Sequence, residues 1–110
     1  MNKEETFIKD LVVLTPDVFE DARGYFFEGY NKNKFSAISI NIDFVQDNQS
    51  FSQRGTLRGL HYQNPPFAQT KLVRVLQGEI MDVTVDLRKD SPTYGQHFGI
   101  KLTAENKKQL

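Results

Sequence analysis

One short stretch of the sequence concentrates side chains that move protons and hold anions. Residues 57–63 read Leu-Arg-Gly-Leu-His-Tyr-Gln, so an arginine, a histidine, a tyrosine and a glutamine lie close along the chain. An imidazole has a pKa near neutrality, which suits it to act as a general base. A guanidinium offers a fork of hydrogen-bond donors that fits phosphate. An isolated strand histidine is more often packed or surface-exposed than catalytic, so this stretch alone assigns no reaction.

Two other polar stretches and one lysine extend the set of candidate site residues. Residues 23–28 carry an arginine, a glutamate and three aromatic rings, residues 46–50 are five consecutive hydrogen-bonding side chains, and Lys71 follows later. Each also has a structural interpretation. Arg58 and Lys71 fit exposed strand cations that discourage edge pairing, and Asn48 fits a turn former that bonds nearby backbone.

The spacing of glycine and histidine resembles the first motif of the cupin barrels, but without a metal site. Gly55 precedes His61, and Gly78 follows beyond a proline-containing connection. A metal-binding cupin places a second histidine two positions after the first, where this chain has Gln63. His97 is far along the sequence and there is no cysteine. Because first-row metals favour several imidazoles or an imidazole–carboxylate set, we predict that no metal is bound.

Short β-type runs separated by turn residues must position these side chains. One helix is predicted over residues 31–40, with Asn31 or Asn33 as its N-cap. Turn signals recur every 8–12 residues, which is typical of an antiparallel sandwich or barrel. The predicted strands span residues 11–14, 25–30, 44–46, 56–63, 71–76, 79–87 and 97–102.

The predicted strand at residues 79–87 has one apolar face and one polar face. Met81, Val83, Val85 and Leu87 alternate with Asp82, Thr84 and Asp86. On an ordinary sandwich the Asp/Thr/Asp face would be solvated. The alternative is a barrel whose polar interior holds a ligand. The alternation leaves both arrangements open.

Arg58 and His61 are separated by an odd number of positions. On a regular strand they would therefore face opposite sides. If both side chains reach one pocket, a bulge or twist near Gly59 must correct the register.

Bulk properties limit the classes of function. The chain has 110 residues, which predicts one domain or part of one. With 14 basic and 14 acidic side chains the formal net charge is zero, so neither nucleic acid nor an anionic membrane is favoured as a partner. No apolar run approaches a membrane span, and the first five residues include two acids where a signal peptide would begin its apolar run. We therefore expect a cytoplasmic protein.

Five segments of the sequence carry motifs in a specific order and spacing. They are residues 19–28 (FEDARGYFFE), 44–50 (FVQDNQS), 57–63 (LRGLHYQ), 64–74 (NPPFAQTKLVR) and 78–88 (GEIMDVTVDLR). Together these motifs resemble one family, the dTDP-4-dehydrorhamnose 3,5-epimerases of dTDP-L-rhamnose biosynthesis. The resemblance covers nearly every position from Phe19 onward.

The resemblance implies an all-β jelly-roll cupin that works as a homodimer without a metal or a cofactor. The implied substrate is dTDP-4-dehydro-6-deoxy-glucose, a small-molecule nucleotide sugar inverted at C3 and C5. Both carbons flank the C4 ketone, so removal of their hydrogens gives an enolate and needs a base near neutral pKa. The resemblance makes His61 that base and Lys71 the cation that stabilises the enolate.

The remaining implied roles concern binding. Arg58 would pair with the diphosphate, Phe26 would stack on thymine, and Asp82 would lie near the imidazole. Four further residues would hold the nucleotide and the sugar, some of them across the dimer: Arg23, Glu28, Gln46 and Asn48.

The sequence departs from the family at its C-terminal side. Members of the family continue past this point with further strands, a second histidine, a tyrosine that returns the proton and an aspartate that pairs with the base. Residues 1–110 are therefore expected to be a single, partial domain. Two alternatives stay open: a truncated, non-catalytic cupin that binds a nucleotide sugar, and a ketoisomerase acting on a dTDP-4-keto sugar.

Overall fold

Strands dominate the fold. The computed structural model describes every residue from Met1 to Leu110. Its single helix has six residues, and no helix has the length and apolar character needed to cross a membrane. The elements in chain order are β1 (Asn2–Glu5), β2 (Val12–Thr15), β3 (Val18–Asp21), β4 (Gly24–Phe27), α1 (Lys32–Ala37), β5 (Glu79–Val85) and β6 (His97–Thr103).

The strands pair as three antiparallel hairpins, β1 with β2, β3 with β4, and β5 with β6. Strand β2 gains a further neighbour on its other side. Leu14 and Gln109 exchange backbone hydrogen bonds of 2.8 and 2.9 Å. Leu110 and Val73 exchange a second pair of 2.8 and 3.0 Å. Residues 109–110 therefore lie between β2 and the segment around residue 73.

The buried core is apolar and small. Val13, Leu102 and Leu110 are buried together. Strand β6 contributes every second residue to this core, as the period of a strand requires. Partly buried residues packed against the cluster are Leu11, Val73, Val75, Phe98 and Ile100.

Strand β5 turns its polar side chains toward the core side of the hairpin. Residues that oppose each other across a strand pair share one face, and Asp82 opposes Ile100, which packs on the core. Asp82 and Thr84 are only partly exposed. The apolar alternation faces outward, because Met81 is 67% exposed and Val83 is 39% exposed. The structure thus favours the arrangement with a polar interior over a solvated Asp/Thr face.

Helix α1 is shorter than predicted, but its start is confirmed at Asn31. The Asn31 side chain accepts hydrogen bonds from the backbone amides of the first turn, at 3.0 and 3.2 Å. The helix ends because Ser39 adopts a φ of 65°. The Ile40 amide then donates to the Phe35 carbonyl at 2.9 Å, which closes the last turn.

The aromatic ring of Phe35 fixes the helix against the chain around it. Phe35 is fully buried and meets Tyr30 and Phe44 edge-on, with ring centroids 4.9 and 6.4 Å apart. Edge-to-face pairs of this kind add to the stabilisation from burial.

Three predicted strands, at residues 44–46, 56–63 and 71–76, are wrong, and the last of them keeps only an isolated bridge between Arg74 and Gln109. From residue 41 to residue 72 the structure contains no strand, and the backbone amides there donate only two backbone hydrogen bonds, Thr56 to Gln53 and Phe67 to Asn64. A strand exists only where a neighbour completes its hydrogen-bond ladder, and no other segment of this chain forms backbone hydrogen bonds with these residues. We call residues 41–72 the unpaired segment.

Candidate functional site

His61 lies in the unpaired segment, and Gly59 sets the position of its ring. The imidazole is exposed and makes no hydrogen bond within the chain. Gly59 has a φ of 96°, and a Cβ added there would lie 3.2 Å from Nδ1 of His61. A side chain at residue 59 would therefore crowd the ring.

Arg58 and His61 need no correction of a strand register, because residues 56–63 are not a strand. Gly59, which lies between them, has a φ of 96°. Strand alternation therefore does not apply here, and an odd spacing does not place the two side chains on opposite faces.

Arg58 is held by its own loop. Its Nε donates to Oγ of Ser52 at 2.9 Å, and its Nη2 donates to the carbonyl oxygen of Phe51 at 3.3 Å. Ser52 was not singled out from the sequence. A contact across six positions in a loop leaves no periodic signal, so nothing in the pattern pointed to it.

The other predicted binding residues have partners of their own within the chain. Nε2 of Gln46 donates to Oδ1 of Asn48 at 3.2 Å, which joins two predicted site residues. Nη2 of Arg23 lies 2.6 Å from Oδ2 of Asp21, and this bond lowers the pKa of the Asp21 carboxyl. These groups are exposed, so a ligand can compete for them at low cost.

Phe26 lies in β4, and Glu28 follows the end of this strand in the β3–β4 hairpin. Nζ of Lys34 lies 2.9 Å from Oε1 of Glu28 and lowers the pKa of that carboxyl. Phe26 is exposed, as is its cross-strand neighbour Phe19. An aromatic surface is thus present on β3 and β4, and no ring from the rest of the chain covers it.

The positive charge of Lys71 acts on the carboxyl of Asp82. Burial raises the pKa of the Asp82 carboxyl, while a backbone hydrogen bond at Val83 and the positive charge of Lys71 oppose the rise. No ion pair closer than 4.0 Å forms between them. The inward face of β5 therefore carries the Asp82 carboxylate, whose ionised form is favoured by the charge of Lys71, the cation predicted to stabilise the enolate.

The predicted site residues line neither of two hollows on this chain. One hollow is lined by residues 8–11 with 84–88 and the other by residues between 32 and 43. No three His, Asp or Glu side chains lie close enough together to hold a metal ion. The absence of a bound metal stays a prediction.

The buried Asp86 carboxylate accepts hydrogen bonds from the side chains of three residues in the connection between β5 and β6. It is 4% exposed and accepts from Ser91 Oγ at 2.5 Å, Thr93 Oγ1 at 2.7 Å and Arg88 Nε at 2.9 Å. These bonds hold its pKa far below the usual range. Arg88 also donates to the Lys9 carbonyl at 2.9 Å, which ties the β5–β6 connection to the loop before β2.

The sequence and the fold both match known proteins. The profile of the dTDP-4-dehydrorhamnose 3,5-epimerase family matches residues 5–110. The chain belongs to this family. The dTDP-4-dehydrorhamnose 3,5-epimerase of Shigella flexneri is 52% identical over all of this chain and 61% of its own length. That of Pseudomonas aeruginosa is 55% identical over 94% of this chain and 57% of its own length.

Solved structures of the family confirm the predicted jelly-roll cupin fold. The Bacillus anthracis epimerase, with TDP and PPi bound, superposes with a TM-score of 0.95 at 50% identity, over 98% of this chain and 62% of that protein. The Legionella pneumophila enzyme, in complex with dTDP-4-keto-L-rhamnose, gives a TM-score of 0.91 at 46% identity, over 98% and 57%. This chain thus spans about three fifths of the length of its relatives.

Proposed function

We propose that the protein is an epimerase of dTDP-L-rhamnose biosynthesis. It inverts C3 and C5 of dTDP-4-dehydro-6-deoxy-glucose by removing hydrogens next to the C4 ketone. The observation that carries this proposal is membership of the family over residues 5–110. The motif resemblance that includes Arg58, His61 and Lys71 supports it. The ligands in the Bacillus and Legionella structures, TDP and a dTDP-4-keto sugar, support the substrate class.

The proposed chemistry follows from three side chains. The His61 imidazole takes the proton from carbon, a contribution of about 10²–10⁴ in rate for a positioned base. The Lys71 ammonium stabilises negative charge on O4 as the enolate forms. The Arg58 guanidinium holds the diphosphate. Base and cation are both side chains, so the step as proposed uses no cofactor.

Binding of the remaining substrate is proposed for residues around the β3–β4 hairpin and residue 46. Exposed rings of Phe26 and Phe19 support stacking of a base on this hairpin. The hydrogen-bonded pair of Gln46 and Asn48 supports recognition of polar groups nearby. Arg23 and Glu28, at the two ends of β4, complete the proposed binding set.

We also propose that the protein works as a homodimer in the cytoplasm. Large apolar side chains of the unpaired segment are exposed, including Val45, Phe51 and Leu57. Apolar surface of this extent supports association with another polypeptide. A second protomer laid on this segment would also remove His61 from bulk water. The cytoplasmic location remains a prediction from the sequence.

Solvent exchange tests the proposal directly. The full-length gene product is incubated with dTDP-4-dehydro-6-deoxy-glucose in deuterated water, and deuterium is measured at C3 and C5 together with product. We expect incorporation at both carbons. In the His61→Asn variant the exchange rate should fall by about 10²–10⁴-fold. The matched control is His97→Asn, which changes the chain's other histidine and should exchange like the unmodified protein.

Other outcomes separate the alternatives. Retained dTDP binding with no exchange would favour the non-catalytic nucleotide-sugar cupin, which the exposure of His61 in this chain also favours. Exchange at C3 alone, with a 3-keto product, would favour a ketoisomerase. Survival of exchange in His61→Asn would remove His61 from the role of base.

A further inference from the structure

The loop before His61 contains one side-chain contact that spans it. Oγ of Ser52 accepts from Nε of Arg58 at 2.9 Å, and the Phe51 carbonyl accepts from Nη2 at 3.3 Å. Within the loop, the one backbone hydrogen bond is that of Thr56 to Gln53, at 3.2 Å. Since the unpaired segment has no ladder, these few bonds are what holds the Arg58 guanidinium in place.

The two contacts use one edge of the guanidinium and leave the other free. Arginine has five N–H donors in a rigid, planar fork. Nε and one hydrogen of Nη2 point along the side edge, and both are bonded to residues 51 and 52. The end edge, formed by Nη1 and the second hydrogen of Nη2, has no partner in the chain. That edge has the geometry for two parallel bonds to one phosphate group.

We propose that Ser52 is a positioning residue that orients Arg58 so that its end edge meets the substrate diphosphate. The inference rests on the proposed function, in which Arg58 binds the diphosphate. A guanidinium fixed before binding loses less rotamer freedom when the ligand arrives, so the affinity rises without a new contact to the ligand. Ser52 itself touches no part of the substrate.

Binding of dTDP to the full-length gene product, measured by calorimetry, tests this role without relying on turnover. Ser52→Ala should weaken dTDP binding by about three- to tenfold, the worth of one hydrogen bond. Ser52→Thr keeps the hydroxyl and should restore the affinity. The matched control is Gln53→Ala, the next residue of the same loop, whose side chain makes no hydrogen bond and whose loss should leave dTDP binding unchanged.

Kinetics add a measurement that a merely structural role would not separate. Because the diphosphate is held equally before and during the reaction, Ser52→Ala should raise KM and leave kcat unchanged. Unchanged dTDP affinity in Ser52→Ala, or a threonine variant as weak as the alanine variant, would overturn the proposal. An equal fall in kcat with KM unaltered would overturn it as well.

Arg58→Ala distinguishes failure of this inference from failure of the proposed function. If Arg58→Ala weakens dTDP binding and Ser52→Ala does not, only the positioning role is lost. If Arg58→Ala binds dTDP normally, the diphosphate role of Arg58 is wrong, and the role of Ser52 falls with it. In the supporting case, Ser52→Ala has no further effect in an Arg58→Ala background.

Discussion

Replacing Gly59 by alanine tests whether the position of the His61 ring matters for the proposed proton transfer. The new Cβ would lie 3.2 Å from Nδ1 and 3.5 Å from the backbone nitrogen of His61. Ordinary contacts between heavy atoms lie at about 3.5–4.0 Å. The ring must therefore move away by about 0.3–0.8 Å to accommodate the methyl group.

The expected loss of rate follows from this displacement. A misplacement of about 1 Å costs on the order of 10²-fold in rate. If the logarithm of the rate falls evenly with distance, the shift of the ring lowers the exchange rate by about four- to fortyfold. Alanine at a positive φ adds strain of about 1–2 kcal/mol, which is a separate effect on the backbone.

Gly55→Ala is the control that removes the backbone effect from the comparison. Gly55 has a φ of 83°, close to the 96° of Gly59, but nothing lies within 4 Å of an added Cβ. Both variants thus carry similar strain, and only one crowds the imidazole. The assay is deuterium exchange at C3 and C5, with urea unfolding of each variant as a check on folding. Equal exchange rates in the two variants would refute the reasoning and leave the ring position without consequence.

Two further predictions concern the β5–β6 hairpin. Leu102→Ala removes a side chain that is 0% exposed and should reduce the free energy of unfolding in urea by about 2–5 kcal/mol. Met81→Ala, on the outward face, should change that free energy by less than about 0.5 kcal/mol. A larger loss in Met81→Ala than in Leu102→Ala would mean that the hairpin faces the other way. Asp86 has a pKa far below its usual range because Arg88 and two hydroxyls bond its carboxylate, so its stabilising effect is complete above the unfolded pKa of about 3.9 and is lost as the pH falls below that value. The difference in urea midpoint between the unmodified protein and Asp86→Asn should therefore become smaller from pH 6 toward pH 3. A difference that stays constant would contradict the lowered pKa of Asp86.

Strands β5 and β6 were predictable because their own residues carry the signal. Alternation from Met81 onward and turn residues after Asp86 define a hairpin locally. Strands β1 and β3 were missed, since Asn2–Glu5 is polar throughout and Val18–Asp21 shows little alternation. They form because β2 and β4 lie beside them, which is information from pairing that a single strand does not contain.

The unpaired segment shows the opposite error. Residues 44–46 and 56–63 have the composition of strands. A strand also needs a neighbouring segment that completes its backbone hydrogen bonds, and composition does not show whether that neighbour exists. The types of the candidate site residues were identified from their motifs, and their roles stay predictions. The hydrogen bond between Ser52 and Arg58 could not be predicted from the sequence, because it depends on how a loop with Gly55 at positive φ closes on itself.

The pairing of Leu14 with Gln109 has a consequence for the time course of folding. The two residues are separated by almost the whole chain, yet they share a pair of backbone hydrogen bonds. Contacts between such distant positions carry a large loop-closure entropy and slow the search for the native state. During translation, one edge of β2 has no hydrogen-bonding neighbour until residue 109 has left the ribosome. Strand β2 and residues 109–110 therefore become ordered together.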